Sequence, residues 1–132
     1  AAMQEASQYF LGEQDFTSIR SAECTSLSAM RNITSVTIMQ KEPLLFINVE
    51  ANAFLHHMVR NLVGVLLHIG RSRVAPSWAK DILQAKDRRH GAITAPAQGL
   101  YLQKVSYPEH YQLPKQLDNQ SFAQFVTLLY KR

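Results

Sequence analysis

The chain has 132 residues, 46% hydrophobic and 18% charged, and carries a formal net charge of +4 at pH 7. That length suits one domain with one core, and a pI of about 9.4 favours an anionic partner such as nucleic acid without requiring one. Cys24 is the only cysteine, which excludes an intrachain disulfide and fits a reducing, cytoplasmic setting. No apolar run reaches the roughly 18 residues of a membrane span, and the start, Ala1-Ala2-Met3-Gln4-Glu5, lacks the basic and apolar segments of a signal peptide.

Residues 1–11 carry Ala2, Ala6, Tyr9 and Phe10 on one side of a predicted helix, with Gly12 as its stop. Nothing caps its beginning, so the sequence is expected to be cut from something longer. Residues 13–18 read as a turn or a short helical piece, in which Asp15 is a cap or turn former. Residues 31–39 have strand character, with Ile33, Val36 and Ile38 in a Thr/Ser-rich run. Lys41-Glu42-Pro43 is a turn. Residues 44–51 form a second strand with Leu45, Ile47, Val49 and Ala51 on one face, so the two strands make an antiparallel hairpin.

Residues 52–70 read as a long buried helix. Phe54, Leu55, Met58, Val59, Leu62, Val65, Leu66 and Ile69 cover one broad arc at about 100° per residue. His57, Asn61, Gly64 and His68 line up opposite them, with Arg60 at the edge of that stripe. A helix this apolar belongs in the interior, where an arginine requires a partner.

Pro76-Ser77-Trp78 opens a shorter helix to about residue 85, with Trp78, Ile82 and Leu83 facing the core. Residues 87–99 form a long polar and small-residue connection of the kind that is usually functional or disordered. Residues 99–105 are a third strand, ended by Tyr107-Pro108. The tail is predicted to close in a helix: Ser121 with Gln124 makes a capping box, and Phe122, Phe125, Val126 and Leu129 make an i, i+3, i+4, i+7 stripe. The domain division is therefore 1–117 for the main body and 118–132 for a helical extension. The fold class is α+β, an antiparallel sheet with helices on one face.

Three chemistries were weighed on these residues. A metal site is disfavoured: His56 and His57 point about 100° apart on a helix, His57 and His68 lie about 16 Å apart by helical rise, and there is no His-Glu-x-x-His and no cysteine pair. Cys24 lacks a positioned base and reads as a small buried thiol. RNA binding has broader support, because Arg71, Arg73, Lys80, Lys86, Arg88 and Arg89 fall close together beside a Thr/Ala/Gly loop that permits close backbone approach.

The segment Ala51-Asn52-Ala53-Phe54-Leu55-His56-His57-Met58-Val59-Arg60-Asn61-Leu62-Val63-Gly64 closely resembles the Ala-Asn-Ala-Phe-x-His-His-Met-Val-Arg-Asn-Ile-Val-Gly segment of the bacterial tRNA pseudouridine synthase A family. Gly12-Glu13, Asp15-Phe16-Thr17-Ser18, Arg31-Asn32-Ile33, the run from Thr94 to Leu102 and Tyr107-Pro108 follow in the family's order. The resemblance covers residues 1 to about 115.

The resemblance implies an isomerase that converts uridines of the tRNA anticodon arm to pseudouridine, breaking the N1–C1′ bond and rejoining the base through C5, with no metal or organic cofactor. The target base must leave its stack. In the family a single aspartate, in an Arg-Thr-Asp motif, does the central chemistry. No Arg-Thr-Asp occurs in this chain. The chain is thus expected to be the C-terminal half of the catalytic region, inactive alone, working with the missing N-terminal half in a homodimeric, cytoplasmic enzyme.

Two residues carry over by position. Arg60 matches the arginine that pairs with the catalytic aspartate; a guanidinium stays charged and presents a planar fork that holds a carboxylate ionised and aimed. Leu100 matches the apolar residue that packs on the target base, although strand alternation alone puts Leu102 on the same face. His57, Asn61, Arg71, Arg73, Arg88 and Arg89 are candidates for tRNA contact. Two other readings stand beside this one: a non-catalytic RNA-binding module of the same fold, and an assembly domain whose Phe122 to Leu129 stripe pairs subunits.

Overall fold

The computed structural model describes residues 1–91, 94–106 and 122–130, and for 122–130 the backbone alone. Helix α1 (Ala2–Ser7) runs into a 3-10 turn at Gln8–Phe10. Strand β1 (Gly12–Asp15) follows, where a turn or helical piece was expected; Gly12 (φ 91°) turns the chain out of the helical region and into the strand. A second 3-10 turn, Thr17–Ile19, is held by Asp15, whose Oδ1 accepts from the Thr17 amide at 2.9 Å and the Thr17 hydroxyl at 2.6 Å. Asp15 is therefore a turn former, and the Thr17 hydroxyl foremost keeps its carboxyl below the ordinary aspartate value.

Strands β2 (Met30–Lys41) and β3 (Leu44–Ala51) form the expected hairpin. Its core face pairs Val36 with Val49, Ile38 with Ile47 and Ile33 with Ala51. Ile33 and Val36 are three residues apart yet both buried, which strict alternation forbids. A bulge between Ile33 and Ser35 absorbs the extra residue, Thr34, whose hydroxyl donates to the Glu50 carbonyl at 3.2 Å.

Helix α2 (Met58–Gly70) is shorter than its apolar pattern. Asn52 binds its own segment to β2, accepting the Asn32 amide on Oδ1 at 2.9 Å and donating its amide to the Asn32 carbonyl at 3.0 Å. The chain then turns through His57 in the left-handed region (φ 60°) before helical bonding starts. The polar stripe does not face outward as a unit: Asn61 and Gly64 are buried, while His68 lies against Trp78 with ring centroids 5.1 Å apart. Helix α3 (Trp78–Ala85) buries Ile82 and Leu83 and half-buries Trp78. Strand β4 (Leu100–Ser106) comes after a 3-10 turn at Arg88–His90.

The tail corrects the sequence reading. Residues Phe122–Tyr130 are not a helix but strand β5, which lies between β3 and β4 and pairs antiparallel with both. The Phe/Val/Leu spacing that fits a helical stripe also belongs to a run rich in strand formers, and two available neighbours decide in favour of the strand. Ser121, half of the expected capping box, lies outside the described residues, as does Tyr107-Pro108.

The five strands order as β1-β2-β3-β5-β4, every pairing antiparallel. A single apolar cluster joins Ile33, Val36, Ile47 and Val49 of the sheet to Phe10, Leu62, Leu66 and Ile82 of the helical layer. The fold is α+β with helices packed on one face of the sheet. No helix among the described residues is long and apolar enough to cross a membrane.

Candidate active-site face

The start of α2 organises the site. His57 carries the helix's first accepting carbonyl, which the Asn61 amide meets at 2.9 Å, and the His56 carbonyl accepts the Ser21 amide at 2.9 Å. The preceding loop is thus fastened to the segment that follows the Thr17–Ile19 turn. In the first turn of the helix, Arg60 and Asn61 both reach the 94–95 segment, and Asn61 also reaches Ile19.

Arg60 is half-buried. Its Nε donates to the Ala95 carbonyl at 2.8 Å, and its own backbone carbonyl accepts the Ala95 amide at 3.1 Å. This reciprocal pair fixes the guanidinium plane. A guanidinium has five N–H donors, so this bond leaves the four on the two terminal nitrogens, and among the described residues no carboxylate pairs with them. Arg60 is therefore anchored through Nε, and its terminal nitrogens meet no carboxylate among the described residues.

Asn61 is a correction. It was grouped with possible tRNA contacts, but it is only 4% exposed. Its Nδ2 donates to the Ile19 carbonyl at 2.8 Å, and its Oδ1 accepts the Thr94 hydroxyl at 2.5 Å. A side chain so enclosed, with both ends of its amide bonded, holds the two loops together.

Leu100 opens β4. Its amide donates to the Ala97 carbonyl at 3.2 Å across a turn in which Gly99 has φ 88°. Leu100 packs against the core cluster, whereas Leu102, on the same face by alternation, is 56% exposed. The two leucines thus differ in exposure, which spacing alone could not tell.

Around the helix start basic groups gather, with Glu23 as the acidic neighbour. His57, half-buried, stacks on His56 with ring centroids 3.9 Å apart. Burial first, then the charges of His56 and Arg60, hold His57 below the ordinary histidine value, and Arg88 adds to that effect. Arg60, His57 and Arg88 consequently share one neighbourhood. Arg71 and Arg73 do not: both are exposed just beyond the other end of α2, about 20 Å from its start by helical rise. Arg89 is committed to Asp87, with Nη2 to Oδ2 at 2.7 Å, and its side chain remains 88% exposed.

Three features escaped the sequence reading. Thr94 and Ile19 are the partners of Asn61, separated from it by 33 and 42 residues; no local pattern reports such contacts. Arg20 and Lys86 face Asp15 and extend the positive rim around the Thr17–Ile19 turn. Cys24 is half-buried rather than enclosed, and the backbone amides of Ser26 and His56 hold its thiol below the ordinary cysteine value. Among the described residues no group of three or more His, Cys, Asp or Glu side chains stands close enough to hold a metal ion.

A family model described as tRNA pseudouridine synthase matches residues 6–108. The chain is 50% identical to tRNA pseudouridine synthase A of Shewanella loihica over 115 residues, which is 87% of this chain and 44% of that protein. It is 49% identical to the Vibrio campbellii enzyme of that name over 113 residues, 86% of this chain and 43% of the relative. Against the Legionella pneumophila enzyme the identity is 50% over 111 residues, 84% of this chain and 42% of the relative. The chain spans less than half the length of these curated relatives. With the family model matched across all but the tail, the chain belongs to the tRNA pseudouridine synthase family.

Proposed function

We propose that this chain supplies the C-terminal part of the active site of an enzyme that isomerises uridine to pseudouridine in the anticodon arm of tRNA. The observation that carries the reading is Arg60, anchored through Nε to Ala95 with no carboxylate on its terminal nitrogens among the described residues. Its task is to hold a catalytic carboxylate ionised and aimed. The sequence has no Arg-Thr-Asp, so the carboxylate comes from the partnering N-terminal half. Leu100, fixed at the start of β4, packs on the extruded uracil.

The basic candidates divide by distance from Arg60. His57 and Arg88 lie close enough to meet the target nucleotide or its phosphates. Arg71 and Arg73 meet backbone phosphates farther along the arm. Arg89 contributes less, because Asp87 neutralises it. The complete enzyme is a cytoplasmic homodimer on this reading, with the family resemblance as support.

Two measurements test it. The 132-residue chain incubated with unmodified tRNA is expected to form no pseudouridine; robust turnover by the chain alone would overturn the proposal. In the complete enzyme, Arg60→Ala is expected to slow single-turnover pseudouridine formation about 100-fold or more, as for loss of one preorganised electrostatic partner. An unchanged rate would leave Arg60 a structural residue.

A further inference from the structure

Asn61 is a buried polar side chain whose burial the reaction does not explain. Both ends of its amide are used, on the Ile19 carbonyl at 2.8 Å and the Thr94 hydroxyl at 2.5 Å. Directly beside it, Arg60 and Ala95 exchange two hydrogen bonds, at 2.8 and 3.1 Å. Four bonds thus tie one point of α2 to the Thr17–Ile19 turn and to the 94–95 segment.

We propose that the Asn61–Thr94 pair is a positioning device for Arg60. It sets where Ala95 lies, and Ala95 sets the plane of the guanidinium. The inference rests on the functional reading given above. An arginine side chain is long, and one Nε bond to a fixed carbonyl removes most of its freedom at the working end. That bond is only as well placed as Ala95. Ala95 itself is 4% exposed, and its place along α2 is set by its own amide bond to the Arg60 carbonyl together with the Asn61 bond of its neighbour Thr94. Loss of the Thr94 hydroxyl leaves the Asn61 carbonyl oxygen buried and unpaired, and the segment shifts to relieve it. A displacement of about 1 Å at a catalytic group costs up to about 100-fold in rate.

Thr94→Val in the complete enzyme tests the proposal, because it removes the hydroxyl at nearly constant shape. Single-turnover pseudouridine formation is expected to fall about 10- to 100-fold with tRNA affinity unchanged, and Thr94→Ser is expected to restore it. In an Arg60→Ala background, Thr94→Val should change the rate by less than about twofold, since its effect runs through Arg60. In the 132-residue chain, Thr94→Val should speed hydrogen exchange at the Ala95 amide while β2 and β3 amides keep their protection, which also reports that the variant folds. An active wild type that loses nothing on Thr94→Val, a loss of equal size in the Arg60→Ala background, or failure of Thr94→Ser to restore the rate would overturn the inference. A complete wild-type enzyme that forms no pseudouridine would instead overturn the functional reading on which it rests.

Discussion

Arg60 and His57 sit three residues apart. Arg60 uses one donor to fix its orientation. His57 is partly withdrawn from water, stacked on His56 and near two guanidinium groups, so its protonated form is disfavoured. The sign of the linkage follows. With a folded value below the ordinary one, His57 costs the fold nothing at pH values where it is neutral in both states; stability is lost as the pH falls through the ordinary histidine range toward the folded value. Titration of the His57 ring by NMR is expected to show a midpoint below the ordinary histidine value, and Arg60→Ala should move it upward. A midpoint indifferent to Arg60→Ala would mean that burial and His56 set it without the guanidinium. At this scale the sequence was informative about identity and silent about partners. Arg60 and Leu100 stand out in the sequence only because they lie inside long motifs that resemble the family's. Asn61 was misassigned because periodicity puts it on a polar stripe, and its two partners are contributed by loops far away in the chain.

Helix ends decide more of this structure than helix interiors. The apolar repeat of α2 extends back to Phe54, but helical bonding begins only at Met58, because Asn52 is tied to β2 and His57 adopts φ 60°. At the other helix, Lys86 ends α3 in the left-handed region, with φ 47°, its amide donating to the Leu83 carbonyl at 3.4 Å. Such a position favours glycine, which lacks the Cβ clash. Lys86→Gly is therefore expected to stabilise the chain by about 0.5–1 kcal/mol, the strain relieved exceeding the added freedom of the unfolded chain. Thermal or urea unfolding measures this; a destabilised variant would mean that the charge of Lys86 near Asp15 outweighs the backbone strain. The central hairpin was legible almost residue for residue, since β3 alternates cleanly. The bulge at Thr34 was not, because one extra residue in a strand is visible only once its partner strand is known.

Across the whole molecule the sheet is closed by its last segment. Strand β5 pairs Leu44 with Tyr130 at one end of β3 and Ala51 with Ala123 at the other, and on its far side pairs Leu100 with Thr127. The sequence reading made this segment a helix because Phe122, Phe125, Val126 and Leu129 satisfy a helical period. What overrides the period is a contact between residues more than 70 positions apart, which no local window contains. The consequence reaches the site: β4, the strand that carries Leu100, has β5 as its partner in the sheet, so β5 holds Leu100 in register with the rest of the molecule. Val126 lies opposite Asn48 on one side and Tyr101 on the other. Val126→Pro removes a backbone donor in the middle of an interior strand, where proline is not tolerated, and should destabilise the chain by about 3 kcal/mol or more. Amide exchange should accelerate along both β3 and β4. Were residues 122–130 a separate helical extension, the same substitution would leave β3 and β4 protected and the unfolding midpoint of the main body unchanged. Removal of residues 118–132 makes the same distinction more severely. It strips β3 of one neighbour and β4 of its partner, and two unpaired edges are templates for association. Size-exclusion chromatography of the truncated chain is expected to show high-mass species rather than a folded monomer of slightly lower mass, and a well-behaved monomer with native amide protection in β3 would show that the sheet does not need its fifth strand.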